Sequence, residues 1–180
     1  MNMKPFNVIL AAAFCATGFA ASAAMTKGEH KAALDNAEMS YKSAKAACES
    51  FAGNAKDVCI AEAKVEKTFA TGKTHSNFKN TPKAQFDAQK DLAGAEYDLA
   101  KTKCQTLAGN DKDVCVKEAK AVEVRAQADA KAGNKVSDAY AAASDAKRTA
   151  NYRVAIEKCD TFSGDAKDSC VKAAKTRFNK

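Results

Sequence analysis

The chain has 180 residues, 28% of them charged and 7% aromatic, and its formal net charge is +7 at neutral pH. After the first two dozen residues, Leu, Ile, Val and Phe make up well under the ~20% below which high charge usually signals disorder, so any core is thin. No segment shows a sustained alternation of β-branched residues, which excludes a sheet domain, and the abundant alanine favours helices.

The first element in chain order is an export signal over residues 1–23. Lys4 supplies its positive end, Phe6–Ala20 its apolar run, and Ala21-Ser22-Ala23 a cleavage site of the A-x-A type. The run is shorter than the ~20 apolar residues of a spanning helix. We therefore expect cleavage, export, and no stable membrane insertion afterwards, with Cys15 lost with the signal.

The rest of the chain contains one pattern three times. In each copy a Cys stands seven positions after a Tyr, a Gly five positions later, an Asn or Asp next, and a second Cys five positions after that. The copies are Tyr41–Lys64, Tyr97–Lys120 and Tyr152–Lys175. Without Cys15 the cysteines form an even set of six, which is typical of an oxidising compartment.

The interval between the two cysteines of each copy predicts a helical hairpin. A continuous helix from Cys48 to Cys59 would separate them by roughly 16 Å, beyond the ~7 Å limit for a disulfide. Gly53 suits the left-handed residue after a helix, Asn54 suits the cap of the next helix, and Asp57 completes a box-like pair. The equivalent residues are Gly109, Asn110 and Asp113 in the second copy and Gly164, Asp165 and Asp168 in the third. The spacing predicts the disulfides Cys48–Cys59, Cys104–Cys115 and Cys159–Cys170.

These turns divide the chain into helices and repeats. The predicted helices are 29–52, 54–71, 82–108, 110–132, 135–163 and 165–178. The predicted repeats are 24–71, 82–132 and 133–180, with a flexible linker over 72–81 and a tight joint at Gly133-Asn134. The fold class that follows is all-α: three disulfide-tied helical hairpins that form an elongated bundle or a short solenoid.

The residues that usually carry catalysis are sparse. His30 and His75 are the only histidines, and neither has a partner at helical spacing for a metal. Disulfides would consume the cysteines, and the three Asp residues of the turns are explained by capping. Tyr41 and its counterparts in the other copies are interpreted as packing residues with a wet hydroxyl. We expect no enzyme activity, no metal and no cofactor.

The excess positive charge is spread along every helix among acidic residues. A solvated face with paired charges explains most of it, and weak attraction to an anionic envelope component, such as lipid head groups or acidic polymers, is the functional interpretation. Export, the interspersed acids and the lack of aromatic residues among the basic ones argue against nucleic acid.

The segment Gly109–Lys120, together with the Ala-, Lys-, Glu- and Asp-rich helices behind a signal, resembles small exported proteins of Gram-negative bacteria that are often labelled TolA-like. The cysteine hairpins are foreign to the TolA spacer. The resemblance implies an envelope location, with no enzymatic activity and no defined site.

The expected function is therefore a non-catalytic periplasmic helical protein with a structural or interaction role at the cell envelope, and with a protein or an anionic envelope component as partner. An envelope stress protectant that holds unfolded clients, and a secreted interaction module, are the alternatives. Suppression of client aggregation would favour the first alternative, and recovery in the culture medium the second.

Overall fold

The computed structural model describes residues 24–180, and the predicted export signal lies outside this range. Regular structure in the described range is entirely helical. The α-helices are α1 (Lys27–Ala47), α2 (Gly53–Lys79), α3 (Pro82–Lys103), α4 (Gly109–Cys159) and α5 (Gly164–Phe178), and short 3-10 turns follow α1 and α3. The prediction of an all-α fold made of disulfide-tied hairpins is confirmed. None of the described helices combines the length and apolar character needed to cross a membrane.

Each helix packs mainly against its neighbours in the sequence. The helices α1 and α2 form the first hairpin, α3 returns along α2, and the first half of α4 returns along α3. The short α5 covers the far end of α4, where Tyr152 meets Phe178 at 6.3 Å between ring centroids. This order follows from the short connections, which force antiparallel neighbours.

Alanine and cysteine form the interior. The buried apolar residues of the described range are Ala37, Cys48, Ala63, Ala84, Ala93, Ala95, Cys104, Ala130, Cys159 and Ala174. Such small side chains let the helix backbones approach closely, but each buries little apolar area. The first cysteine of every pair is only 1% exposed, so the disulfides lie within the hairpins.

The prediction of a flexible linker at 72–81 is wrong, because α2 continues as a helix to Lys79. Gly72 packs directly on α3: a Cβ atom at this position would lie 3.0 Å from the Cβ of Ala88. The polar side chains that suggested a linker bond within the helix instead; Thr74 donates to the carbonyl of Ala70 at 2.8 Å. The turn itself is Asn80, in the left-handed region, and Thr81, which caps α3 ahead of Pro82.

The predicted joint at Gly133-Asn134 is also wrong, since α4 runs through it without a break. Gly133 is absent from the residues with positive φ in the described range. Asn134 donates to the carboxylate of Asp138 at 3.0 Å, one turn further along the same helix. The start of α3, around Pro82 and Phe86, faces this part of α4 across a small groove. The last two predicted hairpins are thus joined by one helix of 51 residues.

Candidate interaction site at the disulfide turns

The three predicted disulfides are present, and they connect equivalent positions. The Cα–Cα distances are 5.7 Å for Cys48–Cys59, 5.8 Å for Cys104–Cys115 and 5.7 Å for Cys159–Cys170. Each bond closes a turn between two antiparallel helices. Three disulfides are typical of a protein in an oxidising, extracytoplasmic compartment.

Glycine occupies the left-handed position of each turn, as the sequence predicted, with φ of +55° at Gly53, +55° at Gly109 and +56° at Gly164. The helix boundary around it differs from the prediction. The helix α1 ends at Ala47, five residues before the expected end, because the chain must become extended at Phe51 and Ala52 to reverse direction. The following helix begins at the glycine itself.

The predicted capping boxes are not formed at these turns. The caps before Gly53, Gly109 and Gly164 are Ala52, Ala108 and Ser163, and none makes a side-chain capping bond. Asn54 lies inside the first turn of α2, and its buried Oδ1 has no hydrogen-bond partner among residues 24–180. The only capping box among the described helix starts is at Thr26, where Glu29 accepts from the backbone N–H. That bond from Thr26 lowers the pKa of Glu29.

A lysine bridges the turn in two of the three copies. Lys56 donates to Glu49 at 2.6 Å, and Lys167 pairs with Asp160 at 2.9 Å. The hydrogen bond from Lys56 lowers the pKa of Glu49. In the second copy the acidic position is occupied by Gln105, opposite Lys112. The ion pair therefore supplements the disulfide in two of the turns and is not common to all three.

One further feature is common to all three turns. The residue three positions after the first cysteine is large, apolar and exposed: Phe51 is 52% exposed, Leu107 42% and Phe162 52%. Its N–H donates to the carbonyl of that cysteine, at 3.1, 3.1 and 3.0 Å respectively. In the first copy the predicted helix 29–52 included Phe51, but α1 ends before reaching it.

Tyr41 and Tyr97 of the repeat each contact a lysine of the helix that follows. The ammonium of Lys67 lies 4.8 Å from the Tyr41 ring centroid, and Lys120 lies 4.9 Å from that of Tyr97. Lys67 also pairs with Glu38 of α1 at 2.5 Å, and this hydrogen bond lowers the pKa of Glu38. These contacts agree with a packing function for the tyrosines.

The second copy replaces that inter-helix pair with one inside α4. Glu123 is buried and accepts from Lys120 at 2.5 Å and from Gln127 at 2.9 Å. The bond to Glu123 raises the pKa of Lys120. Gly94 stands on α3 at the position equivalent to Glu38, so the two copies share a register but not a charge pattern.

A contact that the sequence reasoning missed joins the two histidines. His30 of α1 and His75 of α2 lie with Nε2 and Nδ1 3.0 Å apart. The extension of α2 through the predicted linker produces this contact. A usable signal was present: His30 lies 18 residues before Cys48 and His75 lies 16 after Cys59, so an antiparallel hairpin brings them level.

The fold and the turns together define a class: an all-α protein of disulfide-tied helical hairpins with exposed apolar residues at the turns. No family model, curated protein or solved structure matches the chain.

Proposed function

We propose that this is a non-catalytic protein of the periplasm with a structural or interaction role at the cell envelope, and that the disulfide turns are its contact points. The observation that carries the proposal is the exposed apolar residue at the same position of all three turns. An exposed apolar side chain contributes no burial free energy to a folded monomer, because only the removal of apolar surface from water stabilises the fold. A contact with a partner explains the repetition.

The charge around the turns suits a partner with some negative character. Lys56 and Lys167 are paired with acidic residues of their own turns, whereas Lys112, at the equivalent position of the second turn, has no acidic residue opposite it in the turn. An apolar side chain flanked by a cation fits a protein surface with acidic groups, or the head-group region of an anionic membrane. The partner is accordingly a protein or an anionic envelope component.

The placement of the turns favours a bridging role. The first two turns lie at the same end of the helices. Lys103, next to the second disulfide, pairs at 2.9 Å with Glu62, which lies close to the first disulfide. The third lies at the other end of α4, roughly 65 Å away at ~1.5 Å per residue. Contact residues at both ends would let one molecule join two partners or two parts of the envelope.

Site-specific photo-crosslinking in cells tests this proposal. A photoreactive phenylalanine analogue is placed at Phe51, Leu107 or Phe162 of the exported, oxidised protein, and at Met39 as the control. Met39 is 59% exposed but lies in the middle of α1. We expect discrete cross-linked products from the turn positions only. Equal labelling from Met39 would contradict an interaction at the turns.

Two further measurements separate the kinds of partner and the alternatives. Sedimentation with vesicles of anionic phospholipid, compared with neutral vesicles, identifies a membrane contact, which the triple change Phe51→Ser, Leu107→Ser and Phe162→Ser should abolish. Cell fractionation distinguishes periplasm from medium, and recovery in the medium would contradict the envelope role.

A holding function for unfolded clients is the second candidate, because the same exposed apolar residues could contact a client. Its mark is suppression of the aggregation of a reduced test protein by the wild type but not by the triple Ser variant. If the wild type does not suppress aggregation, this candidate is rejected while the crosslinking test is unaffected.

A further inference from the structure

The histidine pair closes the open end of the first hairpin. His30 lies in the first turn of α1 and His75 in the last two turns of α2, whereas Cys48–Cys59 joins the same two helices at the other end. These are the only two histidines of the chain, and 45 residues separate them in sequence. Both helices are therefore connected at each end, by a covalent bond at one and by two imidazoles at the other.

The rings are held in place by their surroundings. His30 is half-buried and stacks on Phe78, with 4.2 Å between centroids and 25° between the ring planes. The capping box of Thr26 and Glu29 fixes the turn from which His30 projects. His75 is exposed, so the pair is accessible from solvent.

The distance between the two ring nitrogens matches that of two ligands on one metal ion. Bonds of ~2.0–2.1 Å at angles between those of octahedral and tetrahedral geometry put two nitrogens roughly 2.9–3.4 Å apart. His30 Nε2 and His75 Nδ1 are 3.0 Å apart. We propose that this pair binds one divalent transition-metal ion, Cu²⁺ most tightly, and that the ion clasps α1 to α2.

Binding needs no net loss of protons from neutral rings. Without metal, one ring donates its N–H to the lone pair of the other. With metal, both facing nitrogens carry lone pairs, and the proton of the donor ring moves through water to its remote nitrogen. No group of three or more His, Cys, Asp or Glu side chains converges on a metal position in residues 24–180, so water completes the coordination shell.

The charged groups nearby are mixed. On α3, Asp87 and Asp91 line the groove that His75 also lines, and Lys79 of α2 lines it as well. Glu29 and Lys31 flank His30 in the sequence of α1. The carboxylates favour a cation near the rings, while Lys79 and Lys31 oppose it, so the imidazoles are the groups that decide the affinity.

Calorimetric titration of the oxidised protein, purified without a polyhistidine tag, tests the proposal with CuCl₂, NiCl₂ and ZnCl₂ separately. We expect one ion per chain and tightest binding of Cu²⁺, in line with the general order of divalent metals. His30→Ala and His75→Ala should each weaken binding at least ~tenfold, because each removes one of two ligands. Asn77→Ala, an exposed change near His75, should leave the affinity unchanged. Equal affinity in the wild type and both His variants would overturn the site.

A second measurement does not depend on substitutions that could disturb the fold. With two histidines in the chain, the imidazole ¹⁵N signals report both rings separately. Stoichiometric ZnCl₂ should shift the Nε2 signal of one ring and the Nδ1 signal of the other together. A shift of only one ring means single-ligand binding and contradicts the clasp. The melting temperature of the wild type should also rise with ZnCl₂, since a ligand that binds only the folded state stabilises it.

Discussion

At the scale of single residues, the turns depend on glycine because their backbone is left-handed. Gly53 has φ of +55°, and a Cβ atom there would meet nothing within 4 Å. The requirement is therefore one of backbone conformation and not of space. Other residues pay ~1–2 kcal/mol in this region.

Two glycine-to-alanine changes should consequently have opposite effects. Gly53→Ala should lower the free energy of unfolding by ~1–2 kcal/mol, because alanine disfavours positive φ. Gly133→Ala should raise it by ~0.5–1 kcal/mol, because this glycine lies in the interior of α4, where a Cβ atom also has open space. Urea unfolding of the oxidised protein measures both. A loss of stability in Gly133→Ala would mean that the helix is not continuous there.

The pair of Glu38 and Lys67 gives the first hairpin a dependence on acid. The hydrogen bond from Lys67 lowers the pKa of Glu38 below its ordinary value of 4.5. A lowered folded-state pKa means that the contribution of this group is present above about pH 4.5 and is lost as the pH falls through the lowered value.

The measurable consequence is a pH-dependent difference between variants. Glu38→Gln should unfold at a lower temperature than the wild type at neutral pH, and the two melting temperatures should converge as the pH falls below the lowered pKa of Glu38, where Glu38 itself is protonated. Glu118→Gln, on the exposed face of α4, serves as the control and should change little at either pH. A difference that persists unchanged in acid would show that packing, and not the charge, causes it.

At the scale of helices, the three disulfides do not contribute equally to the stability of the helices that they join. The three disulfides close loops of equal sequence separation, 11 residues, so the chain-entropy effect is similar, on the order of 3 kcal/mol each. Their helices differ in support. The 15-residue α5 packs mainly on α4, whereas α2 packs on both α1 and α3.

Removing the third disulfide, Cys159–Cys170, should therefore allow α5 to unfold locally. In the double variant Cys159→Ala and Cys170→Ala, the amides of α5 should exchange with solvent far faster, because a helix of ~12–15 residues is marginal by itself in water. In Cys48→Ala and Cys59→Ala, α2 should keep most of its protection through α3. Hydrogen exchange read by mass spectrometry makes the comparison. Retained protection of α5 would contradict this ranking of the helices.

Helix boundaries show how far local sequence predicts this fold. The same dipeptide, Gly-Asn, forms a turn at Gly53-Asn54 and helix interior at Gly133-Asn134. At the first place a disulfide and an extended Phe51 require the chain to reverse; at the second, Asn134 bonds to Asp138 and the helix continues. Fold class and cysteine pairing could be predicted because both depend on spacing within about a dozen residues.

The exposed apolar residues could not be predicted in the same way, and the histidine contact could be predicted only in part, from the similar distances of the two histidines to the cysteines. The position of His75 depends on α2 continuing through a polar segment, in which Gly72 packs against Ala88 of another helix. The exposure of Phe51 depends on where α1 ends. Both are decided by tertiary packing, which overrides the local preference of these segments.

At the scale of the whole molecule, the continuity of α4 decides where the contact turns lie. A break at Gly133-Asn134 would fold the third hairpin back beside the second and bring all three turns to one end. The continuous helix of 51 residues instead puts the third turn at the opposite end. The bridging role proposed above requires the second arrangement.

Distance measurement by fluorescence energy transfer distinguishes the two arrangements. Labels introduced as non-natural residues at Lys117 and Lys158, both exposed on α4, should be roughly 60 Å apart along a continuous helix at ~1.5 Å per residue. A joint at 133–134 would reduce this separation to roughly 15–20 Å. Labels at Lys117 and Lys131 lie before the joint and should give ~20 Å in either case, which controls for the labelling itself. A short distance for the first pair, with the second unchanged, would show that α4 is broken and that the third turn lies beside the other two. A single molecule could then contact a partner at one end only.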